Sequence, residues 1–317
     1  MKLFTDFSIE KEKINTISYN SKIVLLGSCF SENIGNKLDY FKFKTIRNPF
    51  GILFHPKAIE KLITNGINQK KYSENDLVFQ NEHWHCFDSH SNLSSITKSD
   101  VLNNLNTAIS ITNNALKEAN HLIITLGTSW VYRFIETNNI VANCHKIPQK
   151  NFIKEILTTD EITKSLKVII DLIKSVNPSI NIIFTVSPIR HLKDGFTENT
   201  LSKSHLISAI HNIISSDRIN IRYFPSYEIM MDELRDYRFY KEDMIHPNTT
   251  AINYIWERFH TTFIENKTRE TMNEIDTIQK GIIHRPFNIY SKQHEKFLIN
   301  LSHKKNEITR KYPFIAF

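Results

Sequence analysis

Two short segments, far apart in the chain, carry residue types that could act together as a nucleophile and its base. The first is an apolar run, Lys22-Ile-Val-Leu-Leu, that ends in Gly27-Ser28-Cys29-Phe30. Only seven of the 317 residues are glycine, and a glycine here lets a buried strand turn sharply into a helix. We therefore expect an exposed Ser28 side chain at the carboxyl edge of a sheet, beside free backbone N–H groups. The second segment is Asp243-Met-Ile-His246-Pro247-Asn248.

The spacing of Asp243 and His246 suits a carboxylate that orients an imidazole. On a turn before Pro247, the Asp243 carboxylate can bind one ring nitrogen of His246 while the other nitrogen faces a hydroxyl. A positioned base of this kind increases a rate by about 10²–10⁴. Each segment alone also has a structural interpretation, with Ser28 as a helix cap and His246 as a surface histidine after a cap. Their combination favours a serine nucleophile with His246 as its base.

The elements that must position these residues alternate between strand and helix. Short apolar runs rich in β-formers predict strands at Ile23–Leu26, Phe41–Ile46, Leu122–Leu126, Asn181–Val186 and Ile219–Phe224. Helical periodicity and start signals predict helices that begin at Pro56, run from about Ser99 to Asn120, follow a capping box at Thr158, run from Ser202 to about Ser215, and begin at Pro247. The alternation predicts an α/β fold of three layers, αβα, around a five-stranded parallel sheet.

The rest of the chain departs from this alternation. The stretch Lys70–Ser95 fits neither period and predicts an irregular insertion or a short strand pair. After about Asn266, two helical segments at roughly 267–281 and 289–309 complete the chain. We therefore expect an α/β domain over 1–265 and a basic helical extension over 266–317.

Composition indicates an ordinary globular chain. With 40% hydrophobic and 23% charged residues it can form one large core. Neither a signal-peptide apolar core nor a run of about 18 apolar residues occurs in the sequence, so we expect a cytoplasmic protein without an integral membrane segment. The three cysteines form no Cys-x-x-Cys pair, which favours free thiols in a reduced compartment.

The net charge of +7 is concentrated at the carboxyl end. From Lys280 to Phe317 there are eight basic residues against two acidic ones, so the remaining chain is nearly neutral. This distribution argues against a nucleic-acid partner. An apolar stripe within Tyr290–Ile308 favours a helix docked on its own domain, with binding to a membrane surface or an anionic polymer as the alternative. The apolar terminus Pro313–Phe317 would pack internally or mediate a homodimer.

Gly27-Ser28-Cys29-Phe30-Ser31 resembles the motif that names the GSCFA family, within the Ser-Gly-Asn-His (SGNH, or GDSL-like) hydrolase superfamily. Ser31 stands where that motif ends in alanine. The resemblance extends to Arg47–Gly51, which matches an Asn-Pro-Phe-Gly motif, to Leu126–Trp130, to Ser187–Arg190 and to the Asp-x-x-His of Asp243 and His246, and so covers about residues 22–260. It implies a flavodoxin-like SGNH-type fold. It also implies a serine-dependent esterase, acting on an ester or acylated carbohydrate without metal or cofactor.

The same resemblance implies roles for single residues. Ser28 would attack the acyl carbon, His246 would take and return the proton, and Asp243 would orient His246. At the position of the superfamily's Gly-x-Asn motif this chain has Gly127-Thr128-Ser129, with serine in place of asparagine. The oxyanion would therefore be bound by the N–H groups of Ser28 and Gly51 with the Ser129 hydroxyl, or with the amide of Asn48 or Asn143, as third donor. Substrate-binding positions implied by the family-like segments are His90, Gly127, Thr128, His145 and Arg190.

Other activities remain open at this stage. An O-acyltransferase would pass the acyl group to a sugar hydroxyl instead of water. A catalytically inactive module that binds a glycan or acylated ligand is favoured by the absent Asn and disfavoured by the intact Ser28, Asp243 and His246.

Three cysteine- or metal-based alternatives rank lower. His83 and His85 would share one face of a strand, but Cys86 would face the other side and nothing completes a metal site. Cys144 and His145 are adjacent on an extended segment and point apart. Cys29 suits a small packing residue better than a nucleophile.

Overall fold

Ten strands occur in the computed structural model, which describes residues 5–214 and 220–317. In chain order they are β1 (Lys22–Gly27), β2 (Lys44–Arg47), β3 (Leu77–Gln80), β4 (His83–Cys86), β5 (His121–Leu126), β6 (Trp130–Phe134), β7 (Asn139–Val141), β8 (Phe152–Ile156), β9 (Asn181–Val186) and β10 (Ile221–Phe224).

The central sheet has five strands in the order β10-β9-β5-β1-β2, and every pairing in it is parallel. This confirms the predicted α/β class and the five-stranded parallel sheet. The second strand begins at Lys44 and not at Phe41, because Phe41 caps the preceding helix and Lys42 has a positive φ of 63°. The predicted start of the fifth strand, Ile219, lies outside the described residues.

The helices in the described ranges include one for each predicted helical segment. They are α1 (Cys29–Tyr40), α2 (Pro56–Ile67), α3 (Lys98–Glu118), α4 (Thr159–Val176), α5 (Phe196–Ile214), α6 (Ser226–Glu228, continued by a π-helical turn at Ile229–Leu234), α7 (Thr249–Phe263), α8 (Thr268–Ile283) and α9 (Lys292–Lys311). Thr158 and Glu161 form the expected capping box.

Two helix bounds differ from the prediction. Helix α7 begins at Thr249 and not at Pro247, because the Asn248 side chain caps it by accepting the Ala251 N–H at 3.1 Å. Helix α5 begins at Phe196, before the predicted Ser202, and the predicted end at Ser215 lies outside the described residues.

The hydrophobic core forms two clusters, one on each face of the central sheet. Val24 and Leu26 of β1 belong to a cluster with residues of α2, α3, α4 and α5. Ile23 and Leu25 belong to the other cluster, with α1, α7, α8 and α9. Because successive strand residues point to opposite faces, this division produces the predicted three-layer αβα architecture.

Two smaller antiparallel sheets surround the central one. Strands β3 and β4 form a hairpin within Lys70–Ser95, which agrees with the strand-pair alternative for that stretch. Strands β7, β6 and β8 form a second sheet directly after β5. The strands of this second sheet were not predicted from the sequence.

The carboxyl-terminal helices pack on the α/β layers. The Tyr40 hydroxyl donates to Oδ1 of Asp276 at 2.9 Å, and Gln279 donates to the Tyr40 carbonyl at 3.0 Å. Leu301 and Ile308 of α9 are buried in the same cluster as α1. This agrees with the expected docking of the tail on its own chain. No helix within 5–214 and 220–317 is both long and apolar enough to cross a bilayer.

Candidate active site

Ser28 lies at the turn where β1 passes into α1. Gly27 has a φ of 131°, and a β-carbon there would collide with the backbone of Thr125, so only glycine fits this turn. The Ser28 hydroxyl caps α1 by accepting the Phe30 N–H at 3.4 Å. The prediction of an exposed Ser28 side chain was wrong. Ser28 is 1% exposed, because the loop at Gly127 packs against its β-carbon.

Asp243 and His246 form a hydrogen-bonded pair within a single turn. Oδ2 of Asp243 accepts Nδ1–H of His246 at 2.7 Å, and Oδ1 accepts the backbone N–H groups of Ile245 at 2.8 Å and His246 at 2.9 Å. These bonds, led by the His246 N–H, lower the pKa of Asp243 to about 2. Because Nδ1 of His246 is bonded to Asp243, Nε2 is the ring nitrogen that can accept a proton from a hydroxyl.

His191 connects this pair to Ser28. The position that a β-carbon on Gly127 would take lies 3.2 Å from Cβ of Ser28 and 3.3 Å from Nε2 of His191. His246 is in turn close enough to His191 to lower its pKa, and the Arg190 N–H donates to the Ile245 carbonyl at 3.3 Å. The carboxyl ends of three parallel strands and the Asp243–His246 turn therefore meet at one edge of the sheet.

Arg190 was predicted from the sequence as a substrate-binding residue, whereas its neighbour His191 was not. Nε2 of His191 is buried, and it has no hydrogen-bond partner among the described residues. Burial first, and then Lys203 and His246, lower the pKa of His191 to about 3, so its ring is neutral at ordinary pH. Its position directly after the family-like Ser187–Arg190 segment was the signal that could have identified it.

Lys203 of α5 was also missed. Its side chain is 1% exposed, and Nζ donates to the carbonyls of Gly127 at 2.7 Å and Ser187 at 2.8 Å. Burial lowers the pKa of Lys203 to about 7. The lysine therefore ties the loop after β5 to the loop after β9. The available signal was its spacing with Leu206 and Ile210 on the apolar face of the helix.

The two backbone groups expected to bind an oxyanion donate elsewhere in this structure. The Ser28 N–H donates to the Thr125 carbonyl at 3.0 Å, and the Gly51 N–H donates to the Asn48 carbonyl at 2.7 Å. Both residues are buried, where an unpaired N–H would be costly. The geometry therefore corrects the expectation of free N–H groups beside Ser28.

The side chains considered as the third donor are also engaged. The Ser129 hydroxyl donates to the Ser202 carbonyl at 3.3 Å, and its N–H donates to the Ser202 hydroxyl at 2.8 Å. The Asn48 amide donates to the Ser31 hydroxyl at 2.9 Å. Asn143 has the weakest contact, 3.4 Å from its amide to the Ser91 hydroxyl.

The predicted substrate-binding residues divide into two groups. Gly127 and Thr128 lie at the site, and both N–H groups donate to the Phe54 carbonyl, at 2.7 and 3.1 Å. Arg190 stacks its guanidinium 4.5 Å from the Tyr240 ring centroid.

The two predicted histidines are held within the fold. His90 packs its β-carbon over Gly51. His145 is buried with Nε2 bonded to the Cys86 carbonyl at 2.7 Å, and burial lowers its pKa to about 4. The ring of His145 thus has a structural role here.

The three cysteines are free thiols. Burial raises the pKa of Cys29, and it raises that of Cys144 to about 11 and that of Cys86 to about 12. A high pKa disfavours the thiolate that a nucleophile needs. In the described part of the chain, no group of three or more His, Cys, Asp or Glu side chains could hold a metal ion.

A family model described as the GSCFA family matches residues 22–259. The chain belongs to the GSCFA family. A second model, described as the GSCFA domain protein, C-terminal domain, matches residues 275–317. Among solved structures, this GSCFA protein is similar to an acetyl esterase mutant with acetate ion, at 12% identity and a TM-score of 0.32, over 81% of this chain and 99% of that one. The comparison with curated proteins gives no match.

A cavity of about 580 Å³ adjoins His191 in this GSCFA protein. Strands β6 and β8 and the segment after β7 form most of its wall. The residues around it are Phe54, His55, Thr128, Trp130, Tyr132, Val141, Ala142, Asn143, Cys144, Lys146, Ile147, Gln149, Phe152, Lys154, His191, Lys193 and Asp194. Phe54, Thr128 and His191 of this lining also lie next to Gly127, whose loop packs against the β-carbon of Ser28.

Proposed function

We propose that this GSCFA protein is a serine-dependent hydrolase that acts on ester or acyl substrates. The observations that support this proposal are that Ser28 and His191 both border Gly127, and that the segment of His191 is hydrogen-bonded to the Asp243–His246 turn through Arg190 and Ile245. A serine hydroxyl, a histidine and an orienting carboxylate are the groups that acyl transfer through a covalent intermediate requires.

The proposed reaction has two steps. Ser28 attacks the acyl carbon while His246 accepts the hydroxyl proton and delivers it to the leaving alcohol, which produces an acyl-enzyme. Water then attacks the acyl-enzyme, with His246 accepting a proton from the water and returning it to Ser28. Asp243 keeps Nδ1–H of His246 in place through the 2.7 Å hydrogen bond. The amino end of α1, which Ser28 caps, adds a favourable potential for the developing negative charge.

A second candidate is a module that binds a glycan or acylated ligand without catalysis. The donors at Ser28, Gly51 and Ser129 bind other groups of the protein, which favours this candidate. The loss of a single oxyanion donor typically lowers a turnover rate about 10²–10³-fold.

A fluorophosphonate probe separates the two candidates. The probe is expected to label Ser28 in the full-length protein, with the modified peptide located by mass spectrometry. The Ser28→Ala variant should remain unlabelled. The Ser204→Ala variant, which changes an exposed serine on α5, serves as the matched control and should label like the unmodified protein. Label on another residue would contradict the proposal, and a folded but unlabelled protein would favour the binding module.

A further inference from the structure

The cavity beside His191 has an aromatic wall and a positively charged rim. Trp130, Tyr132 and Phe152 line it from the antiparallel sheet, and Phe54 lines it from the loop before α2. Its volume of about 580 Å³ falls within the range of about 300–1,000 Å³ that is typical of small-molecule sites. A ligand in this cavity could therefore present flat or apolar groups to the rings.

Positive charge exceeds negative charge at the cavity, because the described lining residues include three lysines and one carboxylate. Lys154 pairs with Asp194, the one carboxylate among the lining residues, and its ammonium lies 4.9 Å from the Trp130 ring centroid. Lys146 and Lys193 line the same cavity, and neither forms an ion pair with any residue in the two described ranges. The positive charges of Lys146 and Lys193 are therefore not offset by Asp194, which is paired with Lys154.

These two lysines line the cavity from different loops. Lys193, in the loop after β9, is close enough to the Cys144 thiol to affect its pKa. Lys146 follows Cys144 closely in the chain and has a positive φ of 59°. An anion in the cavity would thus meet cationic side chains from two loops.

We propose that this cavity binds an anionic part of the substrate, a carboxylate or a phosphate group, between Lys146 and Lys193. The ring or chain that carries this group would pack on Trp130 and Tyr132. This inference rests on the proposed function, because it names the substrate class of the same site: an acyl ester that carries a negative charge on its acyl or alcohol part.

Binding to the Ser28→Ala protein tests the inference without requiring catalysis. The probes are 4-acetoxybenzoate, its neutral methyl ester and 4-acetoxyphenyl phosphate, and the dissociation constants are measured by calorimetry. The anionic esters should bind about tenfold more tightly than the neutral one, which corresponds to about 1.4 kcal/mol. The carboxylate and phosphate probes distinguish the two anion types. Added salt should reduce the preference.

A matched pair of double variants identifies the residues responsible. Lys146→Gln with Lys193→Gln should abolish the preference for the anionic probes. Lys164→Gln with Lys167→Gln, on the exposed face of α4, should leave it intact. Equal binding of charged and neutral esters, or a preference that survives in the cavity variant, would overturn the inference. Anion binding without any hydrolysis by the unmodified protein would instead count against the proposed function alone.

A second observation, independent of the cavity charges, concerns His191. Its Nε2 is buried beside Ser28 and lacks a partner in residues 5–214 and 220–317, while the expected oxyanion donors are engaged. The His191 backbone is held by Asn199, whose side chain accepts its N–H at 2.9 Å. The ring also meets Phe54 edge-on, with centroids 5.8 Å apart.

We propose that Nε2–H of His191 donates to the oxyanion that forms when Ser28 attacks the acyl carbon. Burial first, and then the neighbouring Lys203 and His246, keep the pKa of the His191 ring low. The ring is thereby kept as a neutral donor instead of a base. His191 would then be a catalytic residue, since it contacts the reacting oxygen.

Two variants separate donation from packing. His191→Phe preserves a ring against Phe54 and removes the donor, whereas His191→Gln restores an N–H donor. Turnover of 4-nitrophenyl acetate by His191→Phe should fall by about 10²–10³ with little change in KM, and His191→Gln should recover part of it. Equal activity of His191→Phe and the unmodified protein, or no recovery in His191→Gln, would overturn this assignment. Absence of Ser28 labelling in the unmodified protein would overturn the proposed function and this assignment together.

Discussion

Asp243 holds His246 through two hydrogen bonds, one to the side chain and one to the backbone. Oδ2 accepts Nδ1–H at 2.7 Å, and Oδ1 accepts the His246 N–H at 2.9 Å. The orientation of the imidazole is therefore set within four residues of the chain. The Asp243 and His246 side chains are 43% and 40% exposed, so a substrate or solvent can reach the pair, whereas Ser28 is covered.

Removal of the His246 imidazole tests its role as the base. His246→Ala should lower the turnover of 4-nitrophenyl acetate by about 10²–10⁴, because the Ser28 proton loses its acceptor. His303→Ala, at an exposed position on α9, is the control and should retain full turnover. Full activity of the His246→Ala protein would exclude His246 as the base.

Asp243→Asn tests the orienting carboxylate. The asparagine oxygen can still accept the two backbone N–H groups, but the negative charge opposite His246 is lost, and turnover should fall by about 10² or more. Because the pKa of Asp243 is lowered to about 2, its ionised form is present above that value and is lost only as the pH falls through it. Rate profiles between pH 4 and 8 should therefore show no inflection from Asp243. Asp160→Asn, at an exposed position on α4, is the matched control.

Gly27→Ala tests the strained turn before Ser28. The φ of 131° and the collision of a β-carbon with the Thr125 backbone should destabilise the fold by about 3 kcal/mol. Denaturant unfolding measures this loss. Gly66→Ala provides a comparison without a positive φ, because Gly66 is helical and its β-carbon would press on the buried Thr112 side chain and not on backbone. Equal effects at the two positions would argue against backbone strain at Gly27.

Lys203→Met tests the buried link between two loops. The carbonyls of Gly127 and Ser187 would lose a donor, which costs about 1–3 kcal/mol for each buried group. Because burial lowers the pKa of Lys203 from its ordinary 10.5 to about 7, the folded chain binds fewer protons than the unfolded chain between these values. The contribution of Lys203 to stability is thus full above 10.5 and is lost as the pH falls toward 7.

The measurement is the free energy of unfolding of both proteins between pH 7 and 9.5. The difference between Lys203→Met and the unmodified protein isolates the lysine from other titrating groups, and it should grow with pH. Lys164→Met, at an exposed lysine of α4, is the matched control. A pH-independent difference for Lys203→Met would contradict the lowered pKa.

His55 should contribute to loss of stability in acid. Its Nδ1 caps α2 by accepting the Ala58 N–H, and its Nε2 bonds to the Val141 carbonyl, each at 3.1 Å. Burial lowers its pKa from 6.5 to about 4, so stability is full above 6.5 and is lost as the pH falls toward 4. His55→Asn keeps a capping oxygen and should reduce this loss by up to about 3 kcal/mol. Thermal unfolding at pH 4, 5 and 7 is the measurement. Stability should fall more steeply with decreasing pH in the unmodified protein than in His55→Asn, and equal slopes would contradict the role of His55.

The local parts of the site were predictable from the sequence. The apolar run that ends at Gly27-Ser28 predicts the β1–α1 turn, and the three-residue spacing predicts the Asp243–His246 pair. The capping box at Thr158 also predicts the start of α4. Each of these features depends on hydrogen bonds and torsion angles within a few residues, which the residue types specify directly.

The burial of Ser28 and the second antiparallel sheet depend on residues that are distant in the chain. Sequence alone indicated an exposed Ser28, yet packing of the Gly127 loop buries it. The sheet of β6, β7 and β8 was not anticipated, because its strands are short and pair across intervening loops.

For this protein, the sequence by itself determined the parallel sheet, its helices and the two segments that carry the groups of the proposed reaction. Only the tertiary structure decided which donors remain free and which charges become buried. His191 and Lys203 look like ordinary polar residues in the chain. Only the fold places Lys203 against the carbonyls of Gly127 and Ser187 and buries Nε2 of His191 near Gly127. Hydrogen-bond satisfaction and desolvation depend on everything that surrounds a group in three dimensions, and no local pattern encodes that environment.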